Sequence, residues 1–330
     1  MLELGALLPV MSEIFDALPG AEVPVGGIVE GFKRLWADSP AAESRAVQLN
    51  LVLHLGRKCT PADGQAQFRH TLSFAQRYPC RVVVLCPEYA ETAPDGMRAK
   101  IYAECFLGKS KTDTRCVEFV LLHYTMSVRQ HLENQVSVCL STDMPLYYWA
   151  HRFAEAKRLA DYHYLLTRSK RILFDGAHAP PETFQYPWPN QAAVRDLAYT
   201  RTLPLRQNLG QFLSRYSPAL ITGGLGRVVL RHRSDLAAEA SSLLGWIRKG
   251  FARSGADLAP IALEVSPERC AGCFELEFTY ADPAKTFRWE ADLAKNEAHF
   301  IGDLGSGRTE LTVGAQMLSP EMTLAEAMFL

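Results

Sequence analysis

The sequence predicts a mixed α/β protein of two domains, each a mixed sheet packed by helices. Three observations carry that expectation. Apolar runs of strand length alternate with amphipathic runs of helical length. The order strand, helix, strand, strand, strand occurs once in each half of the chain. The chain has 330 residues, more than one domain of about 150. Composition agrees: 48% hydrophobic and 22% charged residues supply a core and exclude extensive disorder.

The elements follow in order. Leu4, Leu7, Leu8, Met11, Ile14, Phe15 and Leu18 recur at helical spacing and predict an amphipathic helix whose apolar stripe faces a partner surface. Its start carries no basic stretch, and acids interrupt it, so neither export nor a membrane span is expected. Residues 47–55 alternate as a strand, 65–77 form a helix with Phe68, Leu72 and Ala75 on one face, and Pro79 stops it. Val-rich 81–87 suits a buried strand, and 98–106 and 116–124 read as sheet strands.

Segments 136–140 and 146–150 read as further strands on either side of Ser-Thr-Asp-Met-Pro. An Ala-rich helix is expected over 153–164 and a short strand over 171–174. The Pro-rich, aromatic segment 176–189 breaks all periodicity, which places the domain boundary near residue 180 and gives domains 1–180 and 181–330. Beyond it, 190–199 and 206–215 read as helices, 227–233 as a strand, and 235–251 as an amphipathic helix with Asp235 as a possible N-cap. Residues 261–265, 274–280, 286–291 and 298–302 read as strands, and 322–330 as a closing helix. The repeated element order raises the idea of a duplication.

The charge balance, 35 Lys and Arg against 36 Asp and Glu, gives a net charge of -1 and no global field to attract nucleic acid or anionic lipid. Eight cysteines in apolar contexts are expected as free thiols of a cytoplasmic protein. Only Cys270 and Cys273 have motif spacing. They are open to three readings: a structural turn, a redox-sensitive pair, or half of a metal site.

No catalytic constellation stands out. The glycines of Thr222-Gly-Gly-Leu-Gly-Arg precede a strand, whereas a phosphate loop follows one. The nine histidines show no metal-binding spacing, and no Gly-x-Ser-x-Gly elbow appears. No cofactor is expected. Arg227, Arg231 and Arg233 fall on one strand and could clamp an anion, which keeps a sugar-phosphate sensor or enzyme as an alternative. Large aromatics with polar handles, Tyr147, Tyr148, Trp149, Tyr186 and Trp188, gather near the expected boundary, as contact surfaces often do.

Several segments together carry a family resemblance. They are Tyr78-Pro-Cys-Arg-Val, His131, Ser141-Thr-Asp-Met-Pro-Leu-Tyr-Tyr-Trp149, Arg171-Ile-Leu-Phe-Asp175, Asp196-Leu-Ala-Tyr-Thr-Arg201 with Pro204-Leu-Arg206, and Leu243-Leu-Gly-Trp246. In order and spacing the chain resembles the glucose-6-phosphate dehydrogenase assembly protein family, OpcA, over about residues 78–247. It departs from the family at Ala150, Tyr199 and Leu205, where the family has Trp.

The resemblance implies a non-catalytic subunit that binds oligomeric glucose-6-phosphate dehydrogenase. It would favour the assembled, active state and tune the oxidative pentose phosphate pathway. Tyr147, Tyr148, Trp149, Trp188, Arg231 and Arg233 are the expected partner contacts, from the enrichment of aromatic residues and Arg at interface cores. The Cys270 and Cys273 pair keeps a thiol redox switch as a further alternative.

Overall fold

A computed structural model describes residues 11–37, 47–89, 96–107, 114–267 and 272–330. The fold is mixed α/β, with an eight-stranded and a six-stranded sheet, both mixed. The chain divides into two units: the first runs to Asp196 and takes back Leu324–Leu330, and the second is Leu197–Thr323. The boundary expected near residue 180 therefore falls inside the first unit.

In the first unit, helix α1 (Met11–Ala17) leads to strand β1 (Ala21–Val23) and helix α2 (Ile28–Ala37). Strand β2 (Leu49–Leu55) passes through helix α3 (Pro61–Arg77) to strand β3 (Cys80–Glu88). The long pair β4 (Met97–Leu107) and β5 (Thr114–Thr125) follows, then helix α4 (Leu132–Cys139) and strand β6 (Leu146–His151). Helix α5 (His163–Arg168), strand β7 (Arg171–Phe174) and strand β8 (Val194–Asp196) complete the unit. The sheet order is β1-β4-β5-β3-β2-β6-β7-β8.

Strands β2 and β3 are buried almost throughout because, as central parallel strands, they are covered on both faces; the polar Asn50 and His54 of β2 are held by hydrogen bonds. Helix α3 begins where Thr60 Oγ1 accepts the Asp63 N–H at 3.2 Å and Pro61 presets the first turn. Its Phe68 meets Phe119 on one face of the sheet, with ring centres 4.5 Å apart. Val120, Val52 and Tyr148 alternate to the opposite face and share a core with α2, α4 and α5. At the end of the chain, the Phe329 ring lies 4.8 Å from that of Tyr78 and 6.1 Å from that of Tyr147.

In the second unit, helices α6 (Leu197–Arg201), α7 (Leu203–Leu213) and α8 (Pro218–Thr222) precede strand β9 (Leu225–His232). Helix α9 (Ala237–Arg253) carries the chain to strand β10 (Ala262–Ser266), which pairs parallel with β9. Strands β11 (Phe274–Tyr280), β12 (Thr286–Asp292), β13 (Glu297–Asp303) and β14 (Thr309–Gly314) form an antiparallel meander. Buried positions alternate strictly along β12 and β13, so one sheet face holds the core of Phe212, Ile247, Phe287, Trp289 and Phe300. Helix α10 (Pro320–Phe329) closes the chain.

Four expectations are corrected. Residues 136–139 are helical, and Leu140 caps the helix in extended conformation, because Leu132, Val136 and Cys139 bury one helical stripe. Residues 153–164 form a 3-10 turn, Ala156–Tyr162, before α5 starts. The stretch 190–199 contains β8, an edge strand held by pairing with β7. Asp235 does not cap α9: it lies in the 3-10 turn Ser234–Leu236 and takes the Arg233 guanidinium at 2.6 Å.

The duplication idea also finds no counterpart in topology. Strand β2 lies between two parallel partners, whereas β9 has one parallel and one antiparallel neighbour. Nor are all cysteines free, since Cys105 and Cys116, direct partners in the β4–β5 ladder, form a disulfide. The amphipathic helix expected over 4–18 is described from Met11 only; there Ile14, Phe15 and Leu18 are buried. No helix among the described residues is long and apolar enough to cross a membrane.

Candidate functional site

Open α/β sheets bind ligands beyond the carboxyl ends of their parallel strands, where successive crossovers depart in opposite directions. In the first unit that point lies between β2, whose crossover leads to β3, and β6, whose crossover leads to β7. Backbone closes the gap there. Gly56 N–H donates to the His151 carbonyl at 2.7 Å, and Lys58 N–H donates to the Arg152 carbonyl at 3.2 Å. A Cβ on Gly56 would lie 2.5 Å from the Arg152 carbonyl oxygen, so only glycine fits. Arg152 itself sits at φ 53°, in the left-handed region.

Three side chains of different chemistry meet at this seam. Cys59 comes from the turn after β2, Asp63 from the first turn of α3, and His151 from the end of β6. One donor atom of each lies within 4.8 Å of the others. His151 Nε2 is 3.0 Å from Asp63 Oδ2, and Arg152 Nε is 2.8 Å from the same oxygen. Cys59 is 0% and His151 2% exposed, and His151 Nδ1 has no hydrogen-bond partner among the described residues. Burial alone would raise the Asp63 carboxyl, but the hydrogen bond and charge of His151, with Arg152 behind it, hold it at about 2. Burial, reinforced by the Asp63 carboxylate, pushes the Cys59 thiol well above its ordinary value. A thiol in that state is a poor nucleophile.

Beside this cluster runs a buried polar chain. His54 Nδ1 is 2.8 Å from the Tyr148 hydroxyl and His54 Nε2 is 3.4 Å from that of Tyr124, which is 2.8 Å from that of Tyr162. Burial lowers the His54 imidazole to about 3. It is therefore neutral at pH 7, with one ring nitrogen donating and the other accepting.

At the opposite, amino end of β2 and β6 lies a polar pocket of about 490 Å³ lined by Asn50, Ser141, Asp143, Arg168 and Lys170 among others. Asn50 shapes its wall. The Asn50 Oδ1 accepts the Ser141 N–H at 2.9 Å, and Nδ2 donates to the carbonyls of Ser141 at 2.9 Å and Met144 at 3.3 Å. That clamp explains the Ser-Thr-Asp-Met-Pro stretch as a fixed turn feeding β6.

The residues singled out in the sequence do not converge. Tyr147, Tyr148 and Trp149 are 2%, 0% and 4% exposed, because β6 is a central strand covered on both faces. A partner could touch them only if the strand opened. Trp188 is 8% exposed and stacks on Phe174, with ring centres 6.1 Å apart.

Arg231 pairs with Glu275 at 2.8 Å and Glu277 at 2.9 Å, Arg227 with Glu264 at 2.6 Å, and Arg233 with Asp235. The expected anion clamp is thus neutralised by its own sheet and the turn that follows it. Cys270 lies outside the described residues. Cys273 is buried, its N–H donating to the Ala291 carbonyl at 2.8 Å, and its sulfur accepts from Arg233 Nη1 at 3.2 Å.

The seam escaped sequence reasoning because Cys59 and His151 are 92 residues apart and share no local motif. The usable signal was position: His151 ends a buried strand, and Cys59 and Asp63 flank a helix start.

Residues 72–187 match the model of the family described as the glucose-6-phosphate dehydrogenase subunit N-terminal domain. The match runs from within α3 to the segment before Trp188, and it includes the clamped turn, His151 and Arg152. Over this stretch it agrees with the resemblance to the OpcA assembly family. Among curated proteins, none matches the chain.

Proposed function

We propose that this chain is a non-catalytic subunit of glucose-6-phosphate dehydrogenase. It would favour the assembled, active form of the enzyme and so set entry to the oxidative pentose phosphate pathway in the cytoplasm. The match over residues 72–187 carries the reading. The physical requirement is modest, because such a subunit needs only a higher affinity for the assembled form than for the dissociated one.

The contact surface implied by the clustered aromatics shifts to its exposed part. Phe184 is 56% exposed and stands edge-on to Phe174, while Trp188 stacks on the same ring beneath. Val138 and Met144 are further exposed apolar side chains within the matched stretch. Exposed apolar side chains such as Phe184 meet a partner at a lower desolvation cost than the ion-paired Arg231 and Arg233.

The test is co-purification with the dehydrogenase of the same genome, followed by size-exclusion chromatography and assay. A shared peak of higher mass and a raised rate at equal enzyme concentration are expected. Separate elution together with an unchanged rate removes the reading.

A further inference from the structure

We propose that Cys59, Asp63 and His151 form a binding site for one zinc-class divalent ion, at the carboxyl end of the first sheet. This inference stands independently of the dehydrogenase reading. The donor set is one thiol, one imidazole and one carboxylate, which is the chemistry zinc selects and magnesium or calcium does not. The donors lie within 4.8 Å of one another, so small side-chain rotations bring them to the bond lengths of about 2.0–2.3 Å that zinc requires.

The scaffold is rigid where a site needs it to be. Cys59 N–H donates to the Gly56 carbonyl at 3.0 Å, Asp63 sits in the first turn of a 17-residue helix, and His151 ends a central strand. The strongest sign that the seam is built for more than packing is His151 itself. It is 2% exposed and turns Nε2 toward Asp63 at 3.0 Å, so a buried imidazole already faces the other two donors. A further imidazole is near: His178, whose ring centre is 6.0 Å from that of His151 and whose Nδ1 is 3.4 Å from the Asp175 carboxylate. Three protein ligands, with His178 nearby as a candidate fourth, describe a closed, four-coordinate zinc site.

Arg152 acts as the counter-charge without metal. It holds the Asp63 carboxylate at 2.8 Å, and its side chain, 32% exposed, can turn out to solvent when a cation takes its place. Binding then converts the Cys59 thiol and a divalent ion into a thiolate–metal bond, and the displaced proton goes to the buffer.

The test uses the full chain, stripped with chelator and titrated with Co²⁺ and then Zn²⁺. One equivalent of Co²⁺ should produce a near-ultraviolet thiolate-to-cobalt absorption band, bleached when Zn²⁺ displaces it. Cys59→Ser should lose the band while keeping its circular dichroism spectrum. Cys139→Ser, a buried cysteine in α4 away from the cluster, should keep it. Arg152→Gln, which leaves all three donors in place, should tighten binding by removing the competing cation. Absence of a band at one equivalent overturns the proposal, as does a band that survives Cys59→Ser and disappears in Cys273→Ser.

Discussion

The backbone N–H of Gly56 donates to the carbonyl of His151 at 2.7 Å, joining the turn after β2 to the end of β6. The gap where open α/β sheets usually take a ligand is thereby filled by the protein's own backbone, and the side chains beside it are fixed by that bond.

Gly56→Ala is expected to destabilise the first unit by roughly 2–3 kcal/mol, in the upper range for single substitutions. Its new Cβ would press on the Arg152 carbonyl at 2.5 Å, and neither backbone can retreat without losing the hydrogen bonds of the seam. Gly250→Ala is the control: in α9 nothing stands within 4 Å of the added carbon. There the change should stabilise by about 0.5–1 kcal/mol through helix propensity. Urea unfolding of both variants checks the contrast.

His54 makes stability depend on pH. Its imidazole is held at about 3 in the folded chain against an ordinary value of 6.5, so the unfolded chain binds the extra proton first. The contribution is complete above pH 6.5 and is lost as pH falls from there toward 3. The slope is about 1.4 kcal/mol per pH unit. Between pH 7 and pH 5 the wild type should lose about 2 kcal/mol from this group, and His54→Gln should lose less. Equal losses in the two proteins would assign the acid sensitivity elsewhere.

Cys105 and Cys116 face each other across the β4–β5 ladder, with 11 residues of sequence separation. By loop-closure entropy the link should add about 3 kcal/mol relative to the reduced protein. Alkylation without reductant should leave these two cysteines unmodified, and their protection should vanish after reduction. The urea midpoint should fall in the same step.

If the proposed assembly role holds, Phe184→Ser should weaken association with glucose-6-phosphate dehydrogenase while leaving thermal stability nearly unchanged, because the ring is 56% exposed. Trp149→Ser should do the reverse, unfolding the first unit by removing a core indole. Pull-down yields and melting temperatures for the two variants separate contact from packing.

The strands that were legible in sequence are those with the strongest burial. Residues 47–55 announce β2 by alternation and 81–87 announce β3 by a Val-rich run, since strands covered on both faces are mostly apolar. Segment 136–140 misled because Val-Ser-Val-Cys-Leu alternates over five residues, too short a window to separate a strand from a helix of eight. Strand β8 has three residues and no apolar signature. Only β7 beside it makes it a strand.

By itself the sequence determined the α/β class, the main strand and helix pattern, and the match of residues 72–187 to a dehydrogenase-subunit domain model, since local periodicity and motif order are properties of the chain alone. The tertiary structure decided where each chemical group ended up. It buried Tyr147, Tyr148 and Trp149 within the sheet, paired Arg231 and Arg233 with acids, and gathered Cys59, Asp63 and His151 at one seam. The physical reason is that exposure, ion pairing and donor geometry depend on which distant segments pack together. No window of neighbouring residues encodes that.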